Sequence, residues 1–142
     1  MKIPDLNLLI YAVDRQASLH RKARAWWEET LSGPETVGLS WSVMLGFVRL
    51  TSNPKVVRNP VTAAEALDSV DRWLNQQTTT VVEPTSRHSQ VLRDLLDETG
   101  TAGNLVTDAH LAALAIEHGA VLCSADRDFG RFRGLDWINP ID

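Results

Sequence analysis

Short apolar runs of four or five residues alternate along this chain with longer segments whose apolar positions recur every three or four residues. Lys2–Asp5, Thr36–Ser40, Thr79–Glu83, Ala120–Ser124 and Leu135–Ile138 carry the first pattern and predict strands. The second pattern predicts helices over Asn7–Val13, Ser18–Leu31, Trp41–Thr51, Thr62–Gln77, Ser86–Glu98 and Asn104–His118. Such alternation is the signature of an α/β fold: a central, mostly parallel five-stranded sheet flanked by helices. The length of 142 residues fits one compact domain spanning 1–142, with no repeat, low-complexity tract or linker inside it.

Local chemistry marks several boundaries. Thr62-Ala63-Ala64-Glu65 reads as a capping box, Ser18 as a helix cap, and Gly33-Pro34, Gly100 and Gly119 as stops. Pro4 is awkward in the first strand because it has no N–H for a ladder, so that strand is expected to bend or to begin pairing late. On the second helix Leu19, Ala23, Trp26 and Thr30 share one face, extended by Trp27 and Leu31. One of the two tryptophans is expected in the core and the other in an exposed apolar patch.

Composition narrows the class without identifying it. Hydrophobic residues make up 44% and charged residues 23%, ordinary globular usage. No apolar run approaches the ~20 residues that cross a bilayer, and Met1–Val13 lacks the features of a signal peptide, so no membrane contact and a cytoplasmic location are expected. Cys123 stands alone in an apolar run and reads as a buried, inert thiol. A net charge of −4 argues against a protein that coats nucleic acid. A nuclease stays open, because a carboxylate site is acidic by construction and bound cations reverse its local sign.

Three carboxylates stand where chemistry is expected. Asp5 ends the first strand, and in open parallel sheets ligands bind beyond the strands' carboxyl ends. A helix-capping role explains it equally well. Asp108 interrupts the apolar helix Leu105–Ile116, where an unpaired carboxylate is costly unless a cation or strong hydrogen bonds compensate. Stabilisation of a helix N-terminus is the competing account. Asp126 follows the fourth strand, and if that strand lies beside the first, Asp5 and Asp126 approach each other. Three such charges resist joint ionisation unless a divalent cation neutralises them, and an all-oxygen donor set suits Mg²⁺ or Mn²⁺. His20, His88, His110 and His118 are scattered and form no zinc-type spacing. Asp128 reads as a surface or capping residue.

The ordered set Asp5-Leu6-Asn7-Leu8-Leu9, Thr107-Asp108-Ala109-His110-Leu111-Ala112-Ala113-Leu114-Ala115 and Ser124-Ala125-Asp126-Arg127-Asp128-Phe129 resembles the PIN-domain ribonucleases, VapC toxins in particular, over nearly the whole chain. The resemblance implies a metal-dependent endoribonuclease that acts as the toxin of a VapBC-type toxin–antitoxin pair and is inhibited by a cognate VapB-like antitoxin. It implies Mg²⁺, with Mn²⁺ as substitute, held by Asp5, Asp108 and Asp126 as catalytic and metal-binding acids. Asn7, Ser124 and Asp128 are the supporting polar positions. The implied reaction is in-line attack of an activated water on an RNA phosphodiester. Arg49, Arg127, Arg131 and Arg133 are candidates for holding the RNA backbone, with solvated surface as the bland alternative. A homodimer is the expected assembly, and an exposed tryptophan would serve a subunit or antitoxin contact. One departure matters: family members commonly carry a Glu in the helix after the second strand, where this chain has Gly46.

Three rival readings remain. A structure-specific DNA nuclease of the same fold would need a clamp or DNA-binding module that 142 residues do not obviously offer. A catalytically weak PIN-like binding module is made conceivable by Gly46. A phosphoacceptor signalling domain would need a late strand-end lysine, and the lysines are only Lys2, Lys22 and Lys55.

Overall fold

The computed structural model describes residues 1–100 and 105–142. Five strands form one sheet: β1 (Lys2–Pro4), β2 (Val37–Leu39), β3 (Thr79–Val81), β4 (Val121–Cys123) and β5 (Trp137–Ile138). Their order is β3-β2-β1-β4-β5, and every pairing is parallel. Six helices connect them: α1 (Leu6–Val13), α2 (His20–Ser32), α3 (Trp41–Thr51), α4 (Ala63–Leu74), α5 (His88–Thr99) and α6 (Leu105–Glu117). The α/β class and the sheet are as the pattern predicts. The expected start of the last helix at Asn104 lies outside the described residues.

The strand order has one consequence for function. The chain moves outward from β1 to β3 and then returns across the sheet to β4, so the order reverses between β1 and β4. The carboxyl ends flanking that reversal are where ligands settle in open α/β sheets. Helix α1 packs on both α2 and α3, α3 packs on α4, and α5 packs on α6. The apolar helix α6 buries Ala109 and Leu111–Ala115. Buried apolar side chains from both sets of helices join Ile3, Val37, Leu39 and Leu122 of the central strands in one core.

Differences from the expected boundaries have local causes. The strands are two or three residues long, because only the centre of each apolar run finds a ladder partner. Pro4 does not delay the pairing of β1 with β4, which begins at Lys2. It stands opposite Cys123 at the last register position toward β4. In a parallel ladder alternate residues donate to opposite neighbours. The Lys2 N–H donates to the Thr36 carbonyl on the β2 side and the Asp5 N–H to the Cys123 carbonyl on the β4 side. Pro4 is the residue whose N–H would continue toward β2, and the β1–β2 ladder accordingly has the single pair Lys2↔Val37. Helix α2 starts at His20 without a side-chain cap, so Ser18 does not play that part. The Thr62–Glu65 capping box forms with both of its reciprocal bonds. Gly100, at φ 67°, takes the left-handed conformation that closes α5.

Trp27, not Trp26, completes the buried face of α2 with Ala23 and Thr30. It stands edge-on to Trp73, 5.6 Å between ring centroids, and Trp73 in turn meets Phe47 at 4.8 Å. Edge-to-face pairs of this kind add to plain burial. Trp26 is partly covered and packs beside Trp27.

Gly46 lies buried in the middle of α3, and a Cβ there would stand 2.8 Å from Cδ2 of Leu6. The glycine therefore permits close approach of α3 to the first residue of α1. Alanine in its place gains about 1 kcal/mol of helix propensity but displaces Leu6. We expect Gly46→Ala to stabilise by less than that gain alone and to deliver it in full in a Leu6→Ala background. Urea unfolding of the four proteins of this double-mutant cycle measures the coupling, and strict additivity would reject the contact as the reason for glycine.

Candidate functional site

The site is built on the ends of β1 and β4. Asp5 is the first residue beyond β1 and caps α1: its Oδ1 accepts the Leu6 N–H at 2.7 Å. Its Oδ2 accepts a 2.7 Å hydrogen bond from Ser124 Oγ–H, just beyond β4. Asp5 is thus a helix cap whose second oxygen is tied to the end of β4. Ser124 is wholly buried, and its single hydroxyl also accepts from the Asp126 N–H at 3.0 Å and from Asn7 Nδ2 at 3.3 Å. Asn7 Oδ1 accepts the Ala125 N–H at 3.4 Å. The two supporting positions read from the sequence, Asn7 and Ser124, therefore knit α1 to the turn after β4. Asp126 begins a 3₁₀ turn, Arg127–Arg131, and its Oδ1 accepts the Asp128 N–H at 2.9 Å.

Asp108 reaches this group from the first turn of α6. Its carboxyl is pushed up to about 6, first by burial and then by the charges of Asp5, Asp126 and Asp128, with Arg131 opposing. Asp5 is also raised, chiefly by burial and further by Asp126, against the hydrogen bonds from Ser124 and Leu6. The acids thus share one electrostatic neighbourhood short of positive charge. Among the described residues, however, no three His, Cys, Asp or Glu side chains converge closely enough to hold an ion as they stand. The donor chemistry fits a hard divalent cation: every donor is a carboxylate oxygen, and burial makes uncompensated charge costly.

The arginines divide. Asp128 is exposed and pairs with Arg131 at 3.1 Å, so Arg131 is already engaged at the rim of the acids. Arg127 and Arg133 are exposed on either side. Arg49 lies in the last turn of α3, roughly 12 Å along the helix from Trp41 at eight residues of 1.5 Å rise. That helix leaves the carboxyl edge of the sheet, so Arg49 is carried away from the acids. The Cβ direction of Gly46 points at Leu6, the residue next to Asp5. Cys123 is buried, which pushes its thiol up to about 12 and leaves it inert.

One polar cluster is absent from the sequence reading, which took the histidines as scattered. His88 Nδ1 donates a short hydrogen bond to Glu117 Oε2, and His88 Nε2 lies 2.9 Å from His110 Nδ1. The other Glu117 oxygen accepts from the Thr85 N–H at 2.9 Å and its hydroxyl at 2.6 Å. Burial pushes Glu117 up, but these hydrogen bonds outweigh it and hold the carboxyl below its usual range. Burial and the neighbouring His88 hold His110 low. The available signal was spacing: His110 and Glu117 are seven apart on an apolar helix, hence on one face. The partner on α5 requires the tertiary fold.

Comparison with known proteins follows this geometry closely. The PIN domain family profile matches residues 2–135. The chain is 40% identical over 141 residues to Ribonuclease VapC33 of Mycobacterium tuberculosis, covering 99% of each. It is 43% identical over 140 residues to Ribonuclease VapC37 of the same organism, covering 99% of this chain and 97% of that one. Among solved structures, VapBC2 from Rickettsia felis bound to a promoter DNA fragment superposes with a TM-score of 0.70 at 17% identity, over 97% of both chains. Mycobacterium tuberculosis VapC20, a sarcin–ricin loop cleaving toxin, gives 0.68 at 17% identity over 96% of this chain and 99% of that one.

The raised Asp108 makes a stability prediction with a definite sign. Its folded value, about 6, exceeds the ordinary 3.8, so folding favours the protonated form. That contribution is fully present below the ordinary value and is lost as pH rises through 6. In chelator at pH 7.5, Asp108→Asn should therefore stabilise the protein, on the order of 1 kcal/mol after allowing for solvent screening of this half-exposed group. The gain should shrink toward pH 4. Thermal melts of both proteins across that range decide it; a gain independent of pH would contradict the charge origin.

Proposed function

The chain belongs to the PIN-domain family, on its VapC ribonuclease branch, and from that premise we propose that it is a metal-dependent endoribonuclease and the toxin of a VapBC-type pair. The observation that carries the reading is the hydrogen-bonded link through Ser124 between Asp5 and the Asp126 segment at the strand-order reversal, with Asp108 near enough to feel both charges. Asp5, Asp108 and Asp126 are the residues that would hold Mg²⁺, with Mn²⁺ as substitute. When bound, the ion supplies Lewis acidity for phosphodiester hydrolysis.

The chain's own groups account for the rest. Ser124 fixes the Asp5 carboxylate by donating to Oδ2, while the Leu6 N–H holds Oδ1. Asp108 or Asp126 would steer the attacking water. Arg127 and Arg133, both exposed, would hold backbone phosphates, and Arg131 would contribute charge while tied to Asp128. The reading takes 1–142 as one catalytic unit acting on RNA in the cytoplasm, restrained by a VapB-like antitoxin and assembled as a homodimer. Solved VapBC complexes of the same fold support the antitoxin. Among the described residues no helix is long and apolar enough to cross a membrane.

Purified protein should cut RNA with Mg²⁺ or Mn²⁺, lose all cleavage in chelator, and leave DNA intact. Loss of a hydrogen-bond partner to a metal ligand typically costs ~10–100-fold in metal affinity, so Ser124→Ala should fall in that range and Asp5→Asn or Asp108→Asn beyond it. Undiminished cleavage in chelator would reject metal catalysis, and cleavage surviving both Asp variants would indicate a contaminating nuclease.

Gly46 offers a second check on the metal reading. A glutamate there would project toward Leu6 and the end of β1, adding an oxygen donor beside Asp5. Gly46→Glu should bind Mg²⁺ more tightly than wild type in a calorimetric titration of the RNA-free protein. A folded variant with unchanged affinity would mean that Gly46 serves helix packing alone.

A further inference from the structure

A cavity of about 160 Å³ opens at the carboxyl edge of β2 and β3, lined by Ser42, Trp41, Pro84, His110 and Leu114 among others. Ser40 directly follows β2 and Val82 directly follows β3. At a strand spacing of ~4.8 Å, those ends lie roughly 5 and 10 Å from the end of β1, where Asp5 stands. The cavity thus continues the acid site along the same edge, one and two strands further out. Its walls come from both sides of the sheet: Trp41 from the start of α3, His110 and Leu114 from α6.

Two features of this cavity exceed what packing requires. Trp41 is 45% exposed, although the four other tryptophans of the chain (Trp26, Trp27, Trp73, Trp137) belong to or pack against the core. His110 is held at a fixed orientation from behind. Glu117, whose side chain carries no exposed surface, binds His88, and His88 binds Nδ1 of His110. His88 Nε2 engages Nδ1 of His110 at 2.9 Å, so Nε2 is the ring nitrogen of His110 left for a ligand where the ring lines the cavity. Ser42 adds a hydroxyl beside the exposed indole face, its Oγ 2.7 Å from Ser40 Oγ.

We propose that this cavity is a nucleobase subsite for single-stranded RNA, in which Trp41 stacks on an unpaired base and His110, positioned by His88 and Glu117, hydrogen-bonds the base's edge. Aromatic stacking combined with edge hydrogen bonding is how proteins read unstacked bases. A base held here belongs to a nucleotide near the one whose phosphate meets the acids. The proposal rests on the ribonuclease reading for its choice of RNA, but its geometry does not involve the acids.

The test measures binding separately from cleavage. Fluorescein-labelled single-stranded RNA 12-mers, each uniform in A, C or U, are titrated with the full chain in chelator, and anisotropy gives the affinities. Trp41→Ala should weaken all three roughly tenfold, since stacking tolerates any base, and Trp41→Phe should retain most of the affinity. His110→Ala should narrow the spread among the three RNAs, and in ¹⁵N-histidine spectra the His110 signals should move on RNA addition. Melting curves accompany every variant; Trp41, exposed on the first turn of α3, can be replaced without threatening the fold. Unchanged affinities in both alanine variants would overturn the subsite. So would a Trp41→Ala variant that turns a dimer into a monomer with RNA binding intact, because the indole would then serve a subunit contact. Equal affinity for AMP, CMP or UMP and for the 12-mers would overturn the assignment to an RNA chain. If the wild type cuts RNA and both variants cut it with unchanged KM, the subsite falls and the ribonuclease stands. If nothing is cut yet affinities fall as expected, the subsite stands and the ribonuclease falls.

Discussion

The hydroxyl of Ser124 is the point on which this architecture turns. Its one proton goes to Asp5, and its lone pairs receive the Asp126 N–H and the Asn7 amide. A buried hydroxyl with three partners has no remaining freedom, so the distance between the ends of β1 and β4 is set by hydrogen-bond lengths rather than by loop flexibility. No sheet residue can do this from within a ladder. The position immediately beyond the strand is the first from which a side chain can span to the neighbouring strand's end. The parallel pairing of β1 with β4 is therefore a precondition of the site, and Pro4, which spends its missing N–H on the β2 side, leaves that pairing whole.

What the hydroxyl gathers is electrostatically unfavourable. Asp5 is lifted above its ordinary value by burial and by Asp126, and Asp108 by burial and by Asp5, Asp126 and Asp128, with only Arg131 working against this at Asp108. A fold selected for stability alone would place neutral groups there. The apolar helix α6 and the tight core supply the stability that this edge consumes, and a cation returns part of it by linkage when present.

Much of this was legible from the chain because its logic is local. Asp5 and Asp126 stand at the ends of recognisable apolar runs, and Asp108 is conspicuous in a helix that is otherwise apolar. Asn7 and Ser124 followed from the resemblance, but their joint role did not, since a hydrogen bond between residues 117 apart has no local signature. Ser18 was misread because a capping residue type near a helix start does not guarantee a cap, and the choice between Trp26 and Trp27 for the core stayed open because neighbours on a helix are turned by only about 100°. The histidines were read as unconnected for a different reason. His88 and His110 meet only after α5 and α6 pack, and packing between helices is what periodicity cannot specify.

The two polar clusters of α6 clarify why that helix is built as it is. Asp108 and His110 lie two positions apart, so their side chains diverge by about 200° around the helix axis. One serves the ends of β1 and β4, the other the ends of β2 and β3. Between them the apolar stretch Leu111–Ala115 sinks into the core and fixes the helix in rotation and depth. Any rotation of α6 that improved one contact would spoil the other. The helix is thus over-determined by two polar anchors and one apolar face. This explains how an open sheet edge assembled from short, separate strands can hold side chains from four of its strand ends in a constant relation without a covalent clamp or long ladders.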